Sequence, residues 1–434
     1  MSTAPTPPSR PVTSPPRHAV RAAWAVFAVF VVAGVGMSTW ASRIPAVRDG
    51  LAFTESQMGV LLLTGAIGSL IALPLSGMIA SRLGAAATCV SFAALSVVGF
   101  AVATLAVGQD LPVLVRVGLF LGGMGVGVWD AAMNLEGAVV EQRLGRSIMP
   151  RFHAGFSLGT VAGAGLGALA AHVGLSLPGH VITVMVVDLV VVVLAVRFFE
   201  PTPHAGGRQG ELAGVAVGVG EDPSTAVEPP SGHSARETLA AWRESRTLLV
   251  GLVVLAAALT EGAANDWVSL AVVDGFGAAN AAGAVALAVF LTAMTVTRLA
   301  GTALIDRLGR VRVLRLSGVA ALVGVGIFAL VPVLWVSVVG VAIWGAGAAL
   351  GFPLGMSAAS DDPAKAAVRV SVVSTIGYSA FFVGPALIGF LAEHTGYRDA
   401  LLVLALPVAV GLLVAGAARP LTTAAGQRTS TLEE

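Results

Sequence analysis

From Trp24 almost to its C-terminus the chain is a succession of apolar segments, each about as long as the roughly 20 residues a helix needs to cross ~30 Å of hydrocarbon. No other feature narrows the fold so far. Backbone amides without partners are so costly in hydrocarbon that only helices and closed barrels span it, and these runs lack the period-two alternation of barrel strands. With 56% hydrophobic and only 11% charged residues, against roughly 45–50% and 25% in soluble domains, the chain cannot hide its apolar surface from water. The expected fold class is therefore an all-α, polytopic membrane protein.

Apolar segments fall at about 22–43, 56–80, 85–107, 112–139, 151–174 and 180–199, and again at 247–273, 278–304, 311–333, 335–358, 369–393 and 398–418. Short connections with Gly, Pro or charge separate them. Residues 1–20 are rich in Pro, Ser and Thr and read as a disordered cytoplasmic tail. The polar stretch 201–246 reads as a cytoplasmic linker between bundles at 21–200 and 247–418, and 419–434 as a second tail. The first segment is longer than a signal-peptide core and has no clear cleavage site, so it is expected to stay as a span.

All but Arg43, Arg48, Arg116, Arg298 and Arg398 of the 25 Lys and Arg residues fall on one side if the spans alternate from a cytoplasmic N-terminus. That asymmetry places both termini in the cytoplasm of a bacterial-type inner membrane. A net charge of +1 offers no basic face for nucleic acid. The single cysteine, Cys89, can form neither an intramolecular disulfide nor a multi-cysteine metal site, and is expected to pack. With no phosphate-binding loop and no nucleophile–base or metal-ligand cluster, the sequence implies no cofactor, no metal and no enzyme.

The two sets of six are related. "SRLG" at 81–84 recurs as "DRLG" at 306–309, and "GALAAHVG" at 167–174 as "GFLAEHTG" at 389–396, at offsets of 225 and 222 residues. Internal duplication of this kind is common in secondary transporters. On these residues the chain resembles the major facilitator superfamily. Its loop signature occurs as "GMIASRLG" at 77–84, with Gly77, Arg82 and Gly84 but Ser81 in place of the acid, and as "TALIDRLGR" at 302–310, with Asp306, Arg307, Gly309 and Arg310. The resemblance implies two pseudo-symmetric six-helix bundles and a cytoplasmic latch in which the arginine pairs with a neighbouring span. "WDAAMN" at 129–134 and "RFHAGFSLGTVAGA" at 151–164 resemble the fucose permease type of proton-coupled sugar symporter. That likeness puts Asp130 at a membrane carboxylate and Asn134 at a nearby asparagine, and it finds Arg43 where the type has an acid.

A charge at the bilayer centre costs at least about 2.5–3.5 kcal/mol, so ionisable groups deep in spans need a partner, water or a function. Asp130, Glu136, Asp188, Glu261, Asp266 and Arg298 are the candidates. Asp130 and Asn134 share one helix face; Glu261, Asn265 and Asp266 form a stripe with Trp267 beside it. Asp130 and Glu261 are expected to take up and release a proton or to hold a polar solute. Trp40 and Trp129 have ring faces suited to a sugar, although Trp40 also suits an interfacial anchor. Arg43 is expected to snorkel, to pair with a carboxylate, or to bind an anionic solute. Asp188 is expected to form a structural pair, Arg298 to belong to the cytoplasmic latch, and His153 to cap or pack, with proton relay as the other reading. Glycines at 155, 159, 163 and 167 offer a small face for close helix packing, and Pro353 and Pro385 are expected to permit kinks.

The expected function is secondary transport of a small polar solute, such as a sugar or sugar-like metabolite, by proton-coupled uptake in a lipid-embedded monomer. An exporter of the same fold, or a sensor that has lost transport, fits the same residues.

Overall fold

The computed structural model describes residues 17–145, 148–199, 239–362 and 365–421. Twelve helices among them are long and apolar enough to cross a membrane: Arg17–Leu51, Glu55–Leu83, Ala85–Val107, Pro112–Leu144, Met149–His172, Leu177–Phe198, Ser245–Phe276, Asn280–Leu308, Arg310–Leu330, Leu334–Ala359, Val368–Thr395 and Tyr397–Ala418. They are the first to twelfth spans below. Six form an N-terminal bundle and six a C-terminal bundle, and both ends of the described chain lie at one face, the terminal face.

Two boundaries shift from the sequence reading. The first helix begins at Arg17, not after residue 20, because Ala19 is already buried in a run of strong helix formers. Ala241 is buried against Val368 and Val372, so the C-terminal bundle starts before the expected end of the linker. The rest of both tails and of the linker lies outside the described residues.

Glycine sets the tightest links. Gly84 alone joins the second and third spans at φ +80°, and Gly309 alone joins the eighth and ninth at φ +77°. A side chain is strained in that conformation, which accounts for a glycine at this place in each copy of the loop. Gly174 and Gly396, closing the other repeat, also have positive φ. The duplication is thus conformational as well as sequential.

Small residues bring helices within backbone contact. On the fifth span Gly155 faces the Phe27 ring, Gly159 the Val31 carbonyl and Gly163 the Val35 carbonyl, all on the first span. The tenth span breaks at Ala349–Leu350, between helices Leu334–Ala348 and Gly351–Ala359. Pro353 has no N–H to give the carbonyl four residues earlier, that of Ala349. The eleventh span breaks at Ser379, and Pro385 lies within the helix that follows. The halves meet through the fifth and eighth spans and through the second and eleventh, where Gly59 lies against Pro385 and Gly389 near the face opposite the termini.

A Cβ at Gly159 would stand 2.0 Å from the Val31 carbonyl oxygen, whereas one at Gly165 meets nothing within 4 Å. Gly159→Val is expected to destabilise the protein by about 1–3 kcal/mol or more, read as a lower melting temperature in detergent. Gly165→Ala should leave it unchanged.

Candidate functional site

The fourth span carries Asp130 and Asn134 one turn apart. The Asn134 amide donates to the Asp130 carbonyl at 2.9 Å and lies 3.4 Å from its carboxylate. No cation pairs with Asp130 among the described residues. The residue is half-buried. Tyr378 on the eleventh span, in the other half, is within electrostatic reach of it.

The seventh span contributes Glu261, and here the structure corrects the sequence reading. Arg298 does not belong to the cytoplasmic loop; its Nη2 donates to Glu261 at 2.8 Å, and its Nε to the Ala349 carbonyl at 3.1 Å. One guanidinium thus neutralises a mid-span acid and satisfies the oxygen freed by Pro353. Both side chains remain partly accessible, at 29% and 24%. His153 of the fifth span, in the other half, is within electrostatic reach of Arg298 and stands edge-on to Phe30 at 5.2 Å.

The expected stripe on the seventh span divides. Asn265 is buried and donates back to the Glu261 carbonyl. Asp266 shares a face with Gly262, which lies against Phe381 of the eleventh span, and it makes no hydrogen bond or ion pair to a described residue. Trp267 is fully buried against Tyr397, with ring centroids 5.6 Å apart, and Trp129 is buried among Phe30, Met133 and Phe152. Neither presents a face to a solute in this conformation. Trp40 packs on Phe100 at 5.3 Å. Arg43 is buried and does not snorkel; it donates to the Leu175 carbonyl at 2.9 Å. Asp188 is buried without the expected pairing partner among the described residues: its Oδ2 lies beside Gly36 and Met185. Cys89 is buried.

The sequence reading passed over several residues. Phe352, Tyr378 and Phe381 form a chain of rings with centroids 6.1 and 6.3 Å apart. At the face away from the termini the halves are tied by charge. Arg48 pairs with Asp274 of the seventh span and with its neighbour Asp49, whose carboxylate accepts from Asn280 of the eighth at 3.3 Å. Asp361, beyond the expected end of the tenth span, organises the terminal face of the C-terminal half.

The Major Facilitator Superfamily profile matches residues 25–380 and 250–434. The chain belongs to the Major Facilitator Superfamily. It is 32% identical over 379 residues to an uncharacterized transporter, y4wD, of Sinorhizobium fredii, covering 86% of this chain and 92% of that one. An uncharacterized MFS-type transporter of Yersinia pestis is 28% identical over 394 residues, covering 91% and 94%. Among solved structures, the nucleoside transporter NupG superposes with a TM-score of 0.69 at 15% identity, over 93% of this chain and 99% of that one. FucP in its outward conformation gives 0.60 at 16%, over 93% and 100%. The protein is accordingly a transporter of the major facilitator type and not an enzyme.

The superfamily's loop signature is engaged unequally in the two halves. Arg310 donates to both oxygens of Asp361 at 2.9 Å and to Ser357, and Arg246 reaches the same carboxylate at 2.8 Å. Asp306 and Arg307 are exposed and make no hydrogen bond or ion pair to a described residue. In the first copy Ala85 stands in the place of Arg310, Arg82 is exposed, and a Cβ at Gly77 would meet nothing within 4 Å. Ser81 donates only to the Met78 carbonyl. Glu141, at the terminal end of the fourth span, instead accepts the amides of Ile148 and Met149 at 2.6 and 2.7 Å, where a helix start favours negative charge.

Two measurements follow. Arg298→Gln strips Glu261 of its cation and is expected to lower the melting temperature, while Arg298→Gln with Glu261→Gln restores most of the loss. The coupling should be about 0.5–3 kcal/mol by double-mutant cycle. Secondly, Glu244 accepts from Arg369 at 2.6 Å and Thr247 at 3.0 Å, and the Arg369 bond holds its carboxyl at about 2, below the ordinary 4.5. A carboxyl depressed on folding adds stability above its unfolded value and loses it as pH falls through the folded one. The melting difference between wild type and Glu244→Gln should therefore be constant above about pH 5 and disappear toward pH 2.

Proposed function

We propose that this transporter takes up a small polar solute, sugar-like or nucleoside-like, across a bacterial-type inner membrane by alternating access coupled to protons. Asp130 carries the proton. The observation behind this assignment is the contrast between the two favoured acids: Glu261 has its charge met by Arg298, whereas Asp130 pairs with no cation among the described residues and lies within electrostatic reach of Tyr378 in the other half. A carboxyl in that position meets water from whichever side the halves leave open. It can bind a proton on one side and yield it on the other, with Asn134 tracking its state.

The solute fits between the halves. Arg298, Glu261, His153 and Asn134 offer hydrogen bonds suited to hydroxyls, and Phe352, Tyr378 and Phe381 offer flat apolar faces for a sugar or base ring. Asp266 is a second unpaired acid on the C-terminal side. The E. coli fucose:proton symporter and the nucleoside transporter NupG share the fold, which supports this class of cargo. The excess of Lys and Arg on the terminal face supports a cytoplasmic location for both tails and the linker. The Arg48–Asp274 seal then closes the outer side.

In proteoliposomes with an imposed pH gradient, Asp130→Asn is expected to abolish concentrative uptake of the solute while leaving its exchange across the membrane. Undiminished accumulation by that variant contradicts the proton role. Candidate solutes are found by thermal shift against monosaccharides, sugar acids and nucleosides.

A further inference from the structure

Inside the N-terminal half, away from the inter-half cleft, a second set of polar side chains is shut off from solvent. Arg43 stands at the turn between helix Arg17–Ala41 and the short helix Ile44–Leu51. It is 6% exposed. Its Nη2 reaches the Leu175 carbonyl, but its Nε and Nη1 are buried and meet no partner among the described residues. A guanidinium keeps its charge in any protein environment, and no carboxylate pairs with this one among the described residues. His180 of the sixth span is 4% exposed, has no partner at either ring nitrogen among the described residues, and lies within the field of Arg43. Thr39, four residues before Arg43, is fully buried with its hydroxyl unpartnered. Gly167 of the fifth span brings the two together: the place of its missing side chain is taken by Ser42, next to Arg43 in the chain, and a Cβ there would fall 1.9 Å from Ser42 Oγ and 3.8 Å from His180 Cε1.

We propose that Arg43, His180 and Thr39 enclose a binding site for a small inorganic anion of chloride size. An unpaired buried cation is strongly destabilising; water can satisfy its N–H groups but leaves its charge unmet. The donors suit an anion: two guanidinium N–H groups, at least one imidazole N–H in either tautomer, and a hydroxyl. Enclosure by residues that are nine-tenths or more buried excludes a lipid headgroup or a bulky carboxylate. Arg43 also begins the segment that carries Arg48. An anion held there fixes the angle between the body of the first span and its gate-bearing end, and so favours the sealed state.

The test is binding by the intact protein and does not depend on the transport reading. Protein purified in potassium gluconate is titrated with potassium chloride at constant ionic strength while melting is followed. A saturable rise of several degrees is expected, reproduced by bromide, absent in Arg43→Gln and weakened in His180→Leu. Crystals grown in bromide should show an anomalous peak in contact with the Arg43 guanidinium. Identical melting in gluconate and chloride overturns the proposal, as does a rise that survives in Arg43→Gln. Where Arg43→Gln does not fold, the bromide crystals decide, and a site without a peak overturns it.

Discussion

Hydrocarbon gives no hydration to an ion, so every charge carried into it must be met by another group, reached by water, or used. Much of this structure follows from how that demand is met. Arg298 answers it twice, by neutralising Glu261 and by donating to the Ala349 carbonyl that Pro353 leaves without an amide. The broken tenth span and the mid-membrane acid of the seventh are thereby held by one side chain of the eighth. Asp130, Asp188 and Asp266 are not paired in this way among the described residues.

The halves are copies in fold and differ in charge. At the terminal face of the C-terminal half, Asp361 gathers Arg246 and Arg310, and Glu244 gathers Arg369 and Lys365. The corresponding corner of the N-terminal half has Ala85 in place of an arginine, and its acid, Glu141, is spent on the first amides of the fifth span. At the opposite face the tie between halves rests on Arg48 and Asp274, whose partial exposure makes such a pair weak by itself. The packing of Gly59 on Pro385 and Gly389 gives that closure its apolar backing.

The fold was readable in the sequence because span length and internal repetition are visible in the chain itself; that the repeated glycines share a backbone conformation is a finding of the structure. The site was readable only in part. Asp130, Asn134 and Glu261 announce themselves as polar residues in apolar runs. The Arg298–Glu261 pair joins residues 37 apart in sequence, a contact set by how two helices lie together, which periodicity does not reveal. Side-chain direction was the other difficulty. Asp266 and Trp267 follow Asn265 by successive turns of about 100°, so three neighbours on one helix reach three surroundings. Asp361 was passed over because it lies just past the apolar run, where no hydropathy signal singles it out.

The one-residue joints at Gly84 and Gly309 have a mechanical consequence. A helix pair hinged on a single residue has no slack with which its members could slide past one another, so each hairpin moves as a stiff bracket. Displacement is thereby pushed to the seams between brackets and, above all, to the seam between the two bundles.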